Sequence, residues 1–252
     1  SGIDIKTIVE GLVEAEGKVP GLLLDRKEER LETEISSFGI FKSALSDFND
    51  SLSDLKQSTA FSSLTVSSSD EEIVKASIGS TADAGSYSVE VKQVAQAQSL
   101  ASAGFDDVNT AVGTGTLTFK FGTTVYDQGT DTYSSFTQNA DKPTITLALD
   151  STNNTLVGMR DAINDADAGV TAAIINDGTS NRLVFTSTDS GEKNSMQITA
   201  SDPSLSAFNF NETSTDLSQT LAGQDAKISL NGLEVSNSSN SFSSTLKGVT
   251  LD

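Results

Sequence analysis

The chain has 252 residues with no Cys, no His and no Trp, and its net charge is −19. Without Cys it has no disulfides or thiolate metal ligands, and without His it lacks the commonest general base, so ordinary hydrolase and zinc chemistry is disfavoured. The acidic surplus argues against nucleic acid and anionic membranes as partners, because each requires a basic surface.

The sequence shows no segment for membrane insertion or for a signal-dependent secretion route. No run of about 18 apolar residues is present. No positively charged leader with an apolar core opens the chain. We therefore expect no membrane partner, and we expect an extracellular protein of this kind to leave the cell by a route without a signal peptide.

The first sixty residues predict two helices. Ser1 or Asp4 is suited to cap the first helix at its N-terminus. Pro20 is expected to end or kink that helix, and a second helix is predicted over about residues 21–57. The first helix carries an apolar stripe at helical spacing, formed by Ile5, Ile8, Val9, Leu12 and Val13.

The second predicted helix carries a narrow apolar seam in steps of three or four residues. The seam consists of Leu31, Ile35, Phe38, Phe41, Leu45, Phe48, Leu52 and Leu55. The shortened interval between Phe38 and Phe41 predicts a local overwinding or bend. Because polar side chains fill the other faces, we interpret the seam as one side of a coiled coil. The alternative is an amphipathic helix on a globular core. No other long helix in the sequence matches the seam, so we expect its partner in a C-terminal segment missing from this sequence or in another subunit.

Apolar–polar alternation replaces the helical pattern after residue 60 and predicts strands. The first predicted strands cover residues 64–66, 74–78, 87–91, 117–121 and 145–149. The strand at 87–91 is predicted to continue through residues 94–100. The polar stretch 128–141 is predicted to be an exposed hairpin tip or loop.

A short helix and two hairpins follow. Thr155 is a suitable N-cap and Gly169 a suitable C-terminal stop for the helix. Its apolar face is Leu156, Met159, Ile163 and Ala166. Strands 170–175 and 182–186 flank an Asp-Gly turn, and strands 226–230 and 233–235 flank an Asn-Gly turn. A further strand is predicted at residues 196–198.

Together these elements predict an α+β fold. Residues 1–60 form a helical coiled-coil leg, and a β-rich head follows. The head is predicted as two nested subdomains: residues 61–104 with 222–252 form a β-rich subdomain, and residues 105–221 form an inserted α+β subdomain. In the inserted subdomain the short helix packs on an antiparallel sheet. The nesting is suggested by the need of strands 87–91 and 226–235 for pairing partners.

No catalytic, metal or cofactor site is predicted. Residues 165–169 begin like a calcium loop, but the fifth-position ligand is missing and Asn176 stands where the twelfth-position Glu is required. A helix C-terminus is the preferred interpretation. We expect a protein that is not an enzyme; a carboxylate glycosidase is disfavoured because the chain has no Trp and only three Tyr for a sugar platform.

Four segments resemble the flagellar filament-capping family of hook-associated proteins. Residues 1–16 resemble its start, Gly-Ser-Gly-Leu-Asp before a short amphipathic helix, and residues 87–100 resemble its strand ending in Leu-Ala-Gln-Ala-Gln. Residues 156–186 are similar to its Leu-Arg-Asp-Ala-Ile-Asn helix and the following hairpin. Residues 228–251 are similar to its Val-Asn-Gly and Pro-Gly-Val-Thr-Leu segment, with Lys247 where Pro is common. The segments occur in the family's order.

The resemblance implies a homo-oligomeric ring at the tip of the bacterial flagellum, with helical legs under β-rich heads. It implies a secreted, non-enzymatic scaffold that promotes folding and insertion of exported flagellin. The expected partners are flagellin, further copies of the protein, other hook-associated proteins and, before secretion, an export chaperone. The family continues into a C-terminal helical region, which would be the partner of the seam. The alternative function is a surface adhesin that binds host glycan or protein through its polar head.

Overall fold

A computed structural model describes residues 4–56 and 64–252, which fall into two compact units, one before residue 64 and one from residue 64 onward. The candidate cap Ser1 and the predicted helix end at Gln57 lie outside the described residues. The order of a long helix followed by a β-rich head is present, and the predicted α+β class is confirmed.

The first unit is one continuous helix, α1 (Ile5–Lys56). Asp4 caps it, because its side chain accepts from the Thr7 N–H (3.3 Å) and its carbonyl accepts from the Ile8 N–H (3.4 Å). The prediction of two separate helices is wrong, since Pro20 lies inside α1. Proline's fixed φ is compatible with a helical backbone, and long helical segments on both sides tolerate the single hydrogen bond that it removes.

The second unit contains antiparallel strands and one short α-helix. Its elements, in chain order, are β1 (Ala76–Ile78), β2 (Val89–Gln93), β3 (Ser99–Ala101), β4 (Gly115–Asp127), β5 (Thr132–Gln138), β6 (Ile145–Leu149), α2 (Leu156–Asp165), β7 (Val170–Asn176), β8 (Asn181–Ser187), β9 (Ser195–Ala200), β10 (Phe210–Asn211), β11 (Ser214–Thr215), β12 (Ser218–Leu221), β13 (Ala226–Leu230), β14 (Leu233–Asn237), β15 (Phe242–Leu246) and β16 (Val249–Leu251). Two 3₁₀ turns, Glu192–Asn194 and Pro203–Phe208, precede β9 and β10.

The larger hydrophobic core draws on two antiparallel sheets and α2. One sheet has the order β11-β10-β9-β4-β5, with β6 also paired to β4, and the other has the order β12-β3-β8-β7. Phe119 from β4 and Phe185 from β8 are fully buried, with ring centroids 6.2 Å apart. The predicted cap of α2 is confirmed, because Thr155 Oγ1 accepts from the Gly158 N–H at 3.0 Å.

The smaller core is formed by the sheets β1-β16-β15 and β14-β13-β2. Its buried residues are Ala226, Ile228, Leu230, Phe242 and Leu251. The predicted hairpin between β13 and β14 is confirmed, with positive φ at Asn231 (51°) and Gly232 (87°) as a tight hairpin turn requires.

Three predictions about the head need correction. Residues 64–66 form no strand. Only the start of the stretch 128–141 is a hairpin tip, because Thr132–Gln138 forms β5, which pairs along β4 and buries Tyr133. The chain does not continue as one strand from β2 through residue 100, since Gln96 makes an isolated bridge with Gln224 before β3 begins.

Strand β3 also lies in a different sheet from the one its position in the sequence suggests. It pairs with β8 and β12, and Leu100 is buried in the larger core. Residues 99–101 therefore belong with that core rather than with the subdomain predicted over 61–104, because backbone pairing partners distant in sequence determine the position of a three-residue strand. The division into two nested subdomains stays a prediction.

Candidate functional site

Helix α1 carries a strip of exposed apolar side chains, here called the α1 strip. Because the helix is uninterrupted and advances about 100° per residue, the stripe before Pro20 and the seam after it lie on the same face, along about 70 Å. The strip consists of Ile5, Ile8, Val9, Leu12, Val13, Val19, Leu23, Leu24, Leu31, Ile35, Phe38, Phe41, Leu45, Phe48 and Leu52. Their exposed fractions run from 36% at Leu52 to 73% at Phe38.

The predicted seam residues have no cover among the described residues of their own unit. Leu31, Ile35, Phe38, Phe41, Leu45, Phe48 and Leu52 are all exposed. The side chain of Leu55 lies outside the described part of the chain. The structure leaves the α1 strip available for a partner, and the coiled-coil role of these eight residues stays a prediction.

Helix α1 has poor intrinsic stability for its length. Gly11, Gly17, Gly21 and Gly39 each disfavour a helix by about 1 kcal/mol relative to Ala, and Pro20 does so by about 3 kcal/mol. A Cβ at any of the four glycines would meet nothing within 4 Å, so no contact within the described chain requires them. Intrinsic propensity therefore contributes little to the stability of α1, and packing of an apolar face is the usual source of helix stability in proteins.

Ion pairs within α1 add little to its stability. Lys6 pairs with Glu10 and Lys18 with Glu14, each at 4.0 Å, and Arg30 Nε lies 3.1 Å from Glu34 Oε1. All six side chains are largely exposed, so each pair contributes about 0.2–0.5 kcal/mol. These pairs cannot offset the glycine and proline penalties.

Charged residues interrupt the α1 strip. Each lies three or four residues from strip residues on both sides and is therefore on the apolar face; they include Glu16, Lys27, Glu34 and Lys42. Glu34 pairs with Arg30, and the other three take part in no ion pair among the described residues. The α1 strip thus has both acidic and basic positions within an otherwise apolar surface.

The most strongly perturbed carboxylate of the head, Asp177, has a structural role. Asp177 organises the turn between β7 and β8, where Oδ2 accepts from Arg182 Nε (2.7 Å) and Oδ1 accepts from the N–H groups of Thr179 (3.0 Å) and Ser180 (2.8 Å). The hydrogen bond from Arg182, followed by those from Thr179 and Ser180, holds the pKa of the Asp177 carboxyl well below its usual range. This strongly perturbed carboxyl group stabilises a hairpin and has no arrangement for catalysis.

The described residues show no metal site. They contain no group of three or more His, Cys, Asp or Glu side chains placed to hold an ion. At the calcium-like segment, α2 ends at Asp165, and Asp167 (φ 45°) and Gly169 (φ 71°) reverse the chain into β7. That is the geometry of a helix C-terminus. None of the described helices is long and apolar enough to cross a bilayer.

The smaller core borders a groove of about 480 Å³. Its apolar wall includes Val74, Ile78 and Val249, and the segment 64–70 forms part of its rim. The lining has no convergent set of charged groups, so its chemistry does not specify a ligand.

Of these two surfaces, the α1 strip is the one whose exposed apolar side chains more clearly indicate an interaction site. Sequence reasoning missed its full length, although counting steps of three and four across Pro20 would have revealed it.

Comparison with known proteins gives consistent matches along the chain. Residues 1–98 match the family model described as Flagellar hook-associated protein 2 N-terminus. The B-type flagellar hook-associated protein 2 of Pseudomonas aeruginosa is 35% identical over a 265-residue alignment, which covers 99% of this chain and 52% of that relative. The chain spans about half the length of the curated relatives it matches.

Solved structures extend the likeness to three dimensions. The D2-D3 domains of the flagellar cap protein FliD from Escherichia coli match with a TM-score of 0.60 and 34% identity, covering 71% of this chain and 87% of that structure. The D1-D2-D3 domains of the same protein match with a TM-score of 0.65 and 32% identity, covering 86% of this chain and 58% of that structure. The likeness covers more of this chain when the compared structure includes D1.

Proposed function

Because the chain belongs to the flagellar hook-associated protein 2 family, we propose that it forms part of the cap at the tip of a bacterial flagellar filament. In this role the protein is a secreted scaffold without enzymatic activity, and it promotes folding and insertion of exported flagellin. The observation that carries the proposal is the likeness to the cap-protein D2-D3 domains, at 34% identity over 87% of that structure.

The helical part of the cap is assigned to α1. Its strip packs against another helix, which comes from a C-terminal segment of the same protein or from another subunit. The exposure of side chains such as Phe38 (73%) and Ile35 (70%) supports this assignment, because large apolar surfaces left in water mark interaction sites. The glycines and Pro20 support it further, since intrinsic propensity contributes little to the stability of α1 and packing is the usual source of helix stability.

In this proposal the head makes the contacts with neighbouring subunits and with flagellin. Self-association into a closed ring places copies of the head side by side, as closed symmetry requires. Other hook-associated proteins and an export chaperone stay predicted partners. No feature of the described residues favours the alternative of a host-binding adhesin.

Deletion of the gene tests the proposed function. We expect cells to become non-motile and to lose flagellin monomers to the medium, because incoming subunits are no longer retained at the tip. Re-expression of the intact gene is the control and should restore both filaments and motility. Normal filaments in the deletion strain would contradict the proposal.

A further inference from the structure

We propose that residues 188–194, here called the strap, hold the two hydrophobic cores of the head in one fixed relative orientation, and that Asp225 is the main point at which the strap is attached. The strap connects β8 to β9 in the larger core and binds residues of the smaller core. This inference concerns the head alone and does not depend on the proposed function.

Few residues connect the two cores. Within the described head the chain passes between them twice, along residues 94–98 and 222–225. These segments pair at one isolated bridge, where the Gln96 N–H donates to the Gln224 carbonyl at 2.9 Å and the Gln224 N–H donates to the Gln96 carbonyl at 3.0 Å. Because an isolated two-stranded pairing has little stability of its own, a fixed orientation of the cores requires further contacts.

The strap supplies such contacts at both ends of the β13–β14 hairpin of the smaller core. The Glu192 N–H donates to Asp225 Oδ1 at 2.8 Å, and Asp225 directly precedes β13. Ser190 Oγ donates at 2.7 Å to the carbonyl of Ser238, which directly follows β14. The strap therefore holds the first and the last residue around one hairpin.

Gly191 allows the strap to approach this hairpin closely. Its φ is 100°, and a Cβ at this position would lie 2.6 Å from Ser238 Cβ and 2.9 Å from Asp225 Oδ1. Its N–H donates to the Gln96 carbonyl at 3.2 Å, in the first connecting segment. A larger residue would push the strap away from the groups that it binds.

The strap is also fixed to the larger core. Asn194 is buried, and its Nδ2 donates to the Ser190 carbonyl at 2.6 Å. Ser195 Oγ, at the start of β9, donates to the Glu192 carbonyl at 3.0 Å. Because these bonds hold the strap in one conformation, the hairpin cannot move relative to the larger core without breaking its own bonds to the strap.

Asp225 spreads the attachment over the smaller core. Its carbonyl accepts from Gln93 Nε2, at the end of β2, at 2.7 Å. Its Oδ2 accepts from Ser236 Oγ, in β14, at 3.4 Å. Through this one residue the strap is linked to all three strands of the sheet β14-β13-β2.

The test measures the distance between spin labels on the two cores by pulsed electron paramagnetic resonance. The 252-residue chain has no Cys, so labels can be attached at Ile175→Cys in β7 and Leu233→Cys in β14, where both side chains are exposed. We expect one narrow distance distribution when the strap is unchanged. Asp225→Ala removes both side-chain contacts and should broaden the distribution, and the double variant with Ser190→Ala should broaden it further.

Asp225→Asn is the matched control. Its amide oxygen still accepts from the Glu192 N–H and its amide nitrogen can donate to Ser236, so the distribution should stay narrow. A second pair of labels, at Ile175→Cys and Val125→Cys, lies within the larger core. Its distance should be the same in every variant, which shows that this core remains folded.

Three outcomes would overturn the inference. A broad distribution with the strap unchanged would show that the cores are not held in one orientation. A distribution for the double variant as narrow as that of the unchanged strap would show that the connecting segments alone fix the cores. Equal broadening in Asp225→Asn and Asp225→Ala would show that the hydrogen bonds of the Asp225 side chain do not attach the strap.

Discussion

The side-chain amide of Asn164 in α2 forms two hydrogen bonds with the backbone of Ala172 in β7. Its Nδ2 donates to the Ala172 carbonyl at 2.9 Å, and its Oδ1 accepts from the Ala172 N–H at 2.8 Å. Strand β7 pairs with β8 on one side only, so the amide occupies the other edge as a neighbouring strand would. It joins α2 to the sheet and blocks part of an edge that another chain could otherwise extend.

Asn164→Asp should therefore destabilise the head. The substitution keeps the shape of the side chain but removes the Nδ2 donor and places a carboxylate against the Ala172 carbonyl. We expect the free energy of unfolding in urea to fall by about 1–3 kcal/mol. Asn154→Asp is the control, because the Asn154 side chain makes no hydrogen bond with the described residues. Equal stabilities for the two variants would contradict a structural role of the Asn164 amide.

Tyr133→Phe should stabilise the head. The Tyr133 hydroxyl is buried and has no hydrogen-bond partner among the described residues, so its removal relieves a desolvation cost of about 1–3 kcal/mol. A neutral result would indicate a water bound to the hydroxyl, and a loss of more than about 1 kcal/mol would contradict the expectation.

The same substitution should reduce the sensitivity of the head to alkaline pH. Burial, together with the charge of Glu212, raises the pKa of Tyr133 above its ordinary value. Burial and the Asp131 hydrogen bond raise the pKa of Tyr126 to about 12. The folded state then holds these protons more tightly than the unfolded state, so stability is full below about pH 10 and falls as pH rises beyond it. Unfolding curves between pH 8 and 11 should show a smaller loss for Tyr133→Phe than for the unchanged protein.

Asp177→Asn should change the response to acid. The folded pKa of Asp177 lies below its unfolded value, so its contribution to stability is present above about pH 4 and is lost as pH falls below that. The variant should melt at a lower temperature at pH 7, and the difference should disappear towards pH 2. Asp141→Asn, at a carboxylate without a hydrogen bond from the described residues, serves as the control. A difference in Tm independent of pH would show that the Asp177 charge is not the cause.

The sequence predicts those parts of the head whose geometry is local. Asn231-Gly232 requires positive φ at two successive residues, and few sequences other than Asn-Gly provide it. Thr155 supplies a cap oxygen three residues before the Gly158 N–H that it binds. Both features depend on adjacent residues, so a single sequence is sufficient to recognise them.

Features that depend on distant partners were predicted less well. The polar composition of β5 resembles a loop, and only its pairing with β4 and the burial of Tyr133 make it a strand. Strand β3 joins the larger core through β8 and β12, which lie 80 or more residues further along the chain. At the candidate site, the spacing of the apolar residues identifies each seam residue. The continuity of the α1 strip is harder to predict, because Pro20 locally disfavours a helix and the long helical segments on both sides override that preference.

Substitution of charge into the seam tests the packing role of α1. Leu45→Asp and Phe48→Asp should each destabilise the protein, at the length its gene encodes, by about 3–5 kcal/mol, because an unpaired charge would be buried under the partner helix. In the 252-residue chain both side chains are exposed, so the same changes should have little effect there. Ser46→Asp, on another face of α1, is the matched control. An unchanged melting curve for the longer protein would contradict the coiled-coil interpretation.

The location of the protein on the flagellum tests the account most directly. Electron microscopy of filaments, with a gold-labelled antibody against the head, measures where the protein lies. If the protein is a cap, the label should be found at the free tips of filaments and should be missing along their length. Label distributed along the filament, or filaments whose tips never carry it, would contradict the proposed function.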